Sequence, residues 1–344
     1  MLAQVSPGLQ LPPELAYQAA GLFSASLAAS SWRKYEAAWS AYRRFEEHVG
    51  MSFPWPLERD ACVGFTTWLT QVRHLRPSTA ETYLAGITKA HEIRGMPPPP
   101  GLRQARICIT GAEHLDLTAG SGPRPPRRAV TLPLLKIIGH KLAGMGWSEV
   151  DKQTVWTSCV LSFFTSARLG ELLAASEDRF DPTATLVWAD VRVRRDGSTI
   201  LTTRMPKSGR AEFLDVFHFP GHGCCPTEAL ALHKELQQKA GLAASSGPVF
   251  RMEDGRNLTP ATLNKLLRSL LEGVVDYSKD SISCHSFRAG MASTLNRFPH
   301  LASSEDIKGW GRWDSSCYTK YARLTLDKKR AIFKKITSAL NTKP

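Results

Sequence analysis

From Trp32 onward, large apolar residues recur three and four positions apart, at Tyr35, Trp39, Tyr42, Phe45 and Val49. Arg33, Lys34, Arg43, Arg44, Glu46 and Glu47 fill the positions between. That period gathers the apolar set into one stripe and predicts an amphipathic helix. A second stripe, Cys62, Phe65, Trp68, Leu69 and Val72, predicts another. A third begins at Ser78, where Glu81 three residues on reads as a capping box, with Tyr83, Ile87 and Ala90 as the expected buried face. Residues 1–29 are rich in Ala, Ser and Leu, lack caps and strong charge, and read as a loosely held tail.

After these helices come PPPPG at 97–101, a segment long enough for one short helix, and GSGPRPPRR at 120–128. The last stretch is basic, proline-dense and aperiodic, the composition of a linker. The expected division is a tail (1–29), a helical module (30–115), a linker (116–128) and a second domain (129–344).

In the second domain Thr131-Leu132-Pro133 opens a helix, and Val155, Trp156, Cys159, Val160, Phe163 and Phe164 give the next one a face wide enough to require burial. That helix runs into SARLGELL. Strand patterning follows: VRVRR, the turn pair Asp196-Gly197, STILTTRM, and then AEFLDVFHF after a turn with Lys207, Ser208 and Gly209. Helices resume at Thr259-Pro260, an N-cap followed by proline at the first helical position. The expected fold class is mainly α with a small antiparallel β-sheet.

Charge narrows the partners. The 344 residues carry 44 Lys and Arg against 31 Asp and Glu, a net charge of +13 that suits a polyanion such as nucleic acid. Ribosomal or membrane-surface binding would give the same total. No stretch approaches the roughly 20 apolar residues of a membrane span, and the N-terminus lacks the pattern of a secretory leader, so an intracellular location is expected. Seven cysteines, an odd number without framework spacing, argue for free thiols. HFPGHGCCP places His218, His222, Cys224 and Cys225 together. Adjacent cysteines lack the two-residue spacer of common zinc sites, and a loop entering a helix at Pro226 is the simpler reading.

Candidate chemistry begins with CHSFRAGM, where His285 and Arg288 stand three apart and share one side of a helix. Alone the pair is unremarkable, because a structural histidine is commoner. Arg168 has Glu171 three residues on as a ready ion-pair partner, and Lys207 in a hairpin turn is ordinarily a solvated lysine. Trp313 is ordinarily a core residue. Tyr318 and Tyr321 lie about 60° apart around a helix, so periodicity does not choose between them.

The order of these residues is more telling than any one of them. SARLGELL, RMPKSGR, CHSFRAG and IKGWGRWDSSCYTKYAR follow one another over residues 129–330, and in this order the sequence resembles the tyrosine recombinases, the family that includes phage integrases. The helices around RPSTAETYLAGI resemble the core-binding domain of the same family. Many members have histidine where Trp313 stands. The GRW before the tyrosine is most like recombinases of DIRS, Ngaro and Crypton mobile elements. PKSGR is the loosest match and offers Lys207 or Arg210.

The resemblance implies a site-specific DNA recombinase or transposase that cleaves and rejoins DNA through a 3′-phosphotyrosyl intermediate, without metal or other cofactor. Tyr321, chosen by its spacing from Trp313, is the implied nucleophile. Arg168 and Arg288 are the implied clamp on the phosphate oxygens, His285 the proton shuttle, Trp313 an indole N–H donor and Lys207 the acid for the leaving 5′ oxygen, with Glu171 in support. The implied partners are double-stranded DNA, held between two domains, and further copies of the chain in a homotetramer. On DNA, Arg76, Thr79 and Lys89 are candidate contacts. In TLDKKRAIFKKITSAL, Leu326, Ile332, Ile336 and Leu340 are spaced for a terminal helix that either packs on its own domain or, by the resemblance, is lent to a neighbouring protomer. A mobile element of a eukaryote would require nuclear entry; otherwise the protein is expected in the cytoplasm. A type IB topoisomerase shares the catalytic residue types, and a domesticated DNA-binding protein could retain them without turnover.

Overall fold

The computed structural model of the chain describes residues 11–27, 29–118, 128–204, 211–274, 282–296, 301–312 and 326–341. They form two compact units, the division falling between residues 124 and 125.

The first unit is helical: α1 (Pro13–Ala25), α2 (Ala29–Val49), α3 (Arg59–Thr67) continued by a π-helical turn (Trp68–Val72), α4 (Pro77–Ile93) and α5 (Leu102–Thr118). Helix α5 runs three residues into the stretch expected as linker. Residues 13–25 are helical where a loose tail is expected, although no α1 side chain is buried. The core holds Tyr42, Phe45, Cys62, Phe65, Trp68 and Leu69 from the predicted stripes, with Phe65 edge-on to Tyr42 at 5.1 Å. Val49 and Val72, the last members of those stripes, are exposed.

Helix α4 departs from expectation at both its start and its buried face. Pro77 takes the first helical position, where its missing N–H costs nothing, and Arg76 becomes the N-cap. No capping box forms at Ser78, and Glu81 instead pairs with Arg106 of α5 at 3.1 Å. The buried stripe is Ala80, Leu84, Ile87 and His91, with Tyr83 and Ala90 only half-buried. Close approach selects that face: a Cβ on Gly86 would lie 2.7 Å from the Ala38 Cβ of α2, so small residues bring the two helices together.

The second unit contains α6 (Leu132–Ala143), α7 (Glu149–Thr165), α8 (Leu169–Leu172), a 3-10 turn (Trp188–Asp190), β1 (Val191–Val193), β2 (Thr199–Thr203), β3 (Glu212–Val216), α9 (Pro226–Lys239), α10 (Pro260–Leu270), α11 (Cys284–Asn296), α12 (Ser304–Gly311) and α13 (Leu326–Asn341). The strands form one antiparallel sheet in the order β1-β2-β3, with Leu201 opposite both Val191 and Leu214. Alternation works as predicted, Leu201, Leu214 and Val216 facing the core. Gly197 takes φ 80° in the hairpin turn after Asp196. Helix α6 opens on the Thr131 cap and α10 on the Thr259 cap, both anticipated.

Helix α7 is the axis of this unit. Twelve of its residues are buried, so it is apolar nearly all round, and its hydroxyls bond inward: Ser158 donates to the Val155 carbonyl and Thr165 to that of Leu161. Helix α13 packs on this same core through Ile332, Phe333 and Ile336, and Lys329 pairs with Asp215 of β3 at 2.6 Å. That is the own-domain arrangement its apolar spacing allows.

The HFPGHGCCP segment enters α9 at Pro226, with Cys225 as N-cap. The Cys225 thiol lies 3.2 Å from the Phe219 N–H, 3.1 Å from Thr227 Oγ1 and 3.2 Å from His218 Nδ1. His218, Cys225 and Glu228 bring one potential ligand atom each within 4.8 Å of one another. Hydrogen bonds account for this grouping, and His218 and Glu228 are more than half exposed. Cys224 is buried, which pushes its thiol up to about 11, and His222 stacks on Phe219 at 4.9 Å.

Two stability predictions follow from the packing. A Cβ on Gly290 of α11 would lie 2.1 Å from the Val130 carbonyl and 2.9 Å from the Phe163 ring. Gly290→Ala gains up to about 1 kcal/mol of helix propensity. The clash with fixed backbone outweighs it, and a net loss of about 1–3 kcal/mol is expected as a lower urea midpoint at unchanged slope. His233 of α9 is fully buried with Nε2 donating to the Val249 carbonyl at 2.8 Å, and burial pushes its pKa down to about 4. The neutral ring therefore stabilises the fold above the unfolded pKa of about 6.5, and this contribution is lost as pH falls toward 4. Urea midpoints measured between pH 7 and pH 4 should fall, and His233→Gln, which keeps a donor, should flatten that slope.

Candidate active site

The sequence ends α7 by turning Ser166 into the left-handed region, at φ 51°, which redirects the chain into Arg168. Arg168 is the N-cap of α8, and Glu171 closes that short turn. The Glu171 carboxylate accepts the Arg168 backbone N–H at 3.1 Å and its Nη1–H at 2.7 Å. The Arg168 side chain stays one-third exposed while that of Glu171 is 5% exposed. Local bonding thus orients one guanidinium at the surface.

Arg288 arrives from α11 and is 1% exposed. Its Nη1 donates to the Ser166 carbonyl at 3.0 Å, and its Nη2 donates to the carbonyls of Gly311 and, at 3.3 Å, Arg312. These acceptors lie at the carboxyl ends of α7 and α12, where helix carbonyls lack intrahelical partners and carry partial negative charge. A buried cation meets both needs at once. Trp310 of α12 donates its indole N–H to the Phe164 carbonyl at 3.0 Å, a further bond at the end of α7. Arg168 and Arg288, 120 residues apart, are therefore joined through two residues of backbone.

A third guanidinium completes the cluster. Arg312 caps α12 in the left-handed region at φ 54°. Its Nη2 donates to Glu171 at 2.8 Å and its Nη1 to Glu212 at the start of β3. Three guanidinium groups face two carboxylates, leaving one positive charge for an anion. Burial, and then the charges of Arg168 and Arg312, push the Arg288 pKa down to about 10. Burial raises the Glu171 carboxyl, but the Arg312 charge and the hydrogen bonds from Arg168 and Arg312 outweigh it and hold the carboxyl below its ordinary range.

Of the residues proposed from sequence, Arg168, Glu171 and Arg288 are brought together. His285 is exposed on α11, three residues before Arg288. Lys207, Trp313 and Tyr321 lie outside the described residues, as do Arg210 and Tyr318. The three DNA-contact candidates share α4. Arg76 is exposed at its N-cap and Thr79 half-buried beside it, whereas Lys89, about 15 Å along the helix axis from Thr79, is paired with Glu92 at 2.9 Å. Sequence reasoning missed Arg312 and Glu212. The GRW run held a signal for Arg312, since it directly precedes Trp313; nothing in the sequence connects Glu212 to it across 100 residues.

No protein-family model matches the sequence, and no curated protein does. Solved structures do match. The integrase of transposon Tn1549, solved with transposon right-end DNA, superposes with a TM-score of 0.55 at 13% identity, over 90% of this chain and 94% of that one. Lambda integrase, solved as a tetramer bound to a Holliday junction, gives 0.53 at 15% identity over 87% and 76% of the two chains. The XerH site-specific recombinase bound to its difH substrate gives 0.50 at 13% over 83% and 72%. The fold is that of the tyrosine recombinases. Within this tyrosine recombinase fold, the helical first unit and the α-rich second unit with its three-stranded sheet have the architecture expected from sequence.

Glu171 is the most connected acid of the cluster, and removing it leaves two guanidinium groups facing each other. Glu171→Ala should cost about 3 kcal/mol or more in chemical denaturation, and Glu171→Gln less. Because the native carboxyl is held low, its contribution is present above the unfolded carboxylate range and lost as pH falls through the native pKa. Glu171→Gln should therefore also shrink the acid-induced loss of stability seen in the unaltered protein.

Proposed function

We propose that this protein is a tyrosine recombinase that cleaves and rejoins double-stranded DNA to integrate or excise a mobile element. The observation that carries the reading is the convergence of Arg168 and Arg288 at the carboxyl end of α7, with a surplus positive charge, in a fold shared with integrases solved on DNA. A phosphodiester is a very poor electrophile, and catalysis of its transfer rests on in-line positioning and on stabilising charge that grows on the non-bridging oxygens. Two fixed guanidinium groups suit that task and can bond those oxygens in pairs.

In the proposed reaction the Tyr321 Oη attacks phosphorus and the P–O5′ bond breaks. The phenol, with an ordinary pKa near 10, loses its proton to His285, which lies on the same helix as Arg288. Lys207 protonates the leaving 5′ oxygen, and Trp313 donates its indole N–H to the phosphate. The product is a 3′-phosphotyrosine with a free 5′ hydroxyl. Attack by the 5′ hydroxyl of a second strand reverses these steps, so strand exchange needs no nucleotide hydrolysis. Pairing of two DNA sites requires several copies of the chain. A homotetramer is proposed, in which α13 passes to a neighbouring protomer. Arg76 and Thr79 are proposed phosphate or groove contacts, with Lys89 available only if DNA displaces Glu92. The GRW run favours a eukaryotic mobile element of the DIRS, Ngaro or Crypton kind and, with it, action in the nucleus.

A nicked suicide duplex carrying the element's own terminal repeats tests the reading. In EDTA, the unaltered protein should form a covalent adduct that denaturing gels resolve. Tyr321→Phe should abolish it and Tyr318→Phe should not; Arg168→Lys and Arg288→Lys should each slow it by at least about 100-fold. An adduct that survives Tyr321→Phe but not Tyr318→Phe overturns the nucleophile. DNA binding without any adduct favours a non-catalytic binding protein, and relaxation of supercoils without strand exchange favours a topoisomerase.

A further inference from the structure

Arg312 belongs to no role assigned above, yet it touches every described part of the site. Its Nη2 donates to Glu171 at 2.8 Å, and Glu171 also holds Arg168 at 2.7 Å. Its Nη1 donates to Glu212, at the foot of the hairpin that carries Lys207. Its backbone carbonyl, with that of Gly311, accepts from Arg288. It directly precedes Trp313 and stands nine residues before Tyr321. We propose that Arg312 is a positioning residue of the phosphate site, setting Arg168 through their shared carboxylate Glu171 and Arg288 through its own backbone carbonyl.

The geometry requires arginine. A guanidinium presents two parallel N–H groups on different nitrogens and can bridge two carboxylates in fixed planes, whereas the ammonium of lysine is a single point of charge on a flexible stem. The left-handed backbone of Arg312 turns its carbonyl toward Arg288 while its side chain reaches back to Glu171 and Glu212. Its Nε is buried without a partner among the described residues, and its side chain is 16% exposed. The residue is built into the site, beneath the more exposed Arg168. It acts by holding the clamp rather than by meeting DNA.

The inference rests on the recombinase reading, and the same suicide duplex separates the two. Single-turnover cleavage at saturating DNA should fall 100-fold or more in Arg312→Met, with DNA affinity within about threefold of the unaltered protein. Arg312→Lys should remain defective and Glu212→Gln should fall between. The pH profile supplies a readout that loss of stability alone would not give. Without Arg312 the Glu171 carboxyl rises, so the acid limb of the cleavage rate should move to higher pH in Arg312→Met and stay in place in Glu171→Gln. Methylguanidinium in solution should restore part of the Arg312→Met rate.

No adduct from the unaltered protein overturns the recombinase reading itself. Normal cleavage by Arg312→Met with an unmoved acid limb overturns the positioning role alone. Lost affinity with normal cleavage at saturation makes Arg312 a DNA contact instead, and also overturns it. Should Arg312→Met fail to fold, by circular dichroism and melting, Glu212→Gln decides: it removes one arm of the bridge, and an unchanged rate and acid limb there overturn the proposal.

Discussion

The second unit depends on what happens at the carboxyl end of α7. A long buried helix ends with carbonyls that have no partner inside the helix, and here water is not available to all of them. Arg288 and Trp310 reach in from α11 and α12 and take the Ser166 and Phe164 carbonyls. One solution to a backbone problem thus fixes three helices relative to one another and puts a guanidinium where the chain emerges at Arg168. Replacing Arg288 by an apolar residue would leave carbonyls of two helix ends unpaired, so the group that would bind phosphate is also part of what holds the unit together.

The charge arrangement has the same double character. Arg168, Arg288 and Arg312 would repel one another if left alone, and burial adds to the cost of the most enclosed member. Glu171 and Glu212 relieve that cost only in part, because two carboxylates cannot neutralise three guanidinium groups. The residual positive charge is an unmet demand, and a phosphodiester is a chemically suitable counter-charge. Left-handed backbone at Ser166 and Arg312, which costs about 1 kcal/mol at a residue other than glycine, is held by these same bonds. Strain of this kind persists only where the surroundings fix it, and here the surroundings are the arginine cluster.

Outside the site, the departures from sequence expectation share one cause. On α4, side-chain size pointed to Tyr83 and Ala90 as buried, whereas the helix turns its small residues toward α2 because Gly86 and Ala38 permit close approach. Ser78 and Glu81 have the spacing of a capping box, yet Pro77 starts the helix one residue earlier and Arg106, from another helix, claims Glu81. Helix α1 forms where neither periodicity nor capping announced it. In each case a local pattern was compatible with more than one partner, and the partner came from elsewhere in the chain.

The sequence by itself determined the elements and their order: apolar stripes at helical spacing, alternation through Leu201, Leu214 and Val216, caps at Thr131 and Thr259, and the hairpin turn at Asp196-Gly197. These depend on neighbours within a few residues, which is what a linear pattern records. It also identified Arg168, Glu171 and Arg288 by type and order, although it could not show that they meet. Only the tertiary structure decided that Arg288 is buried against the ends of α7 and α12, that Glu171 is shared between two arginines, and that Glu212 answers Arg312 across 100 residues of chain. Those facts rest on which carbonyls lack water and which charges are close enough to interact, and both are properties of distance in space that spacing along the chain does not encode.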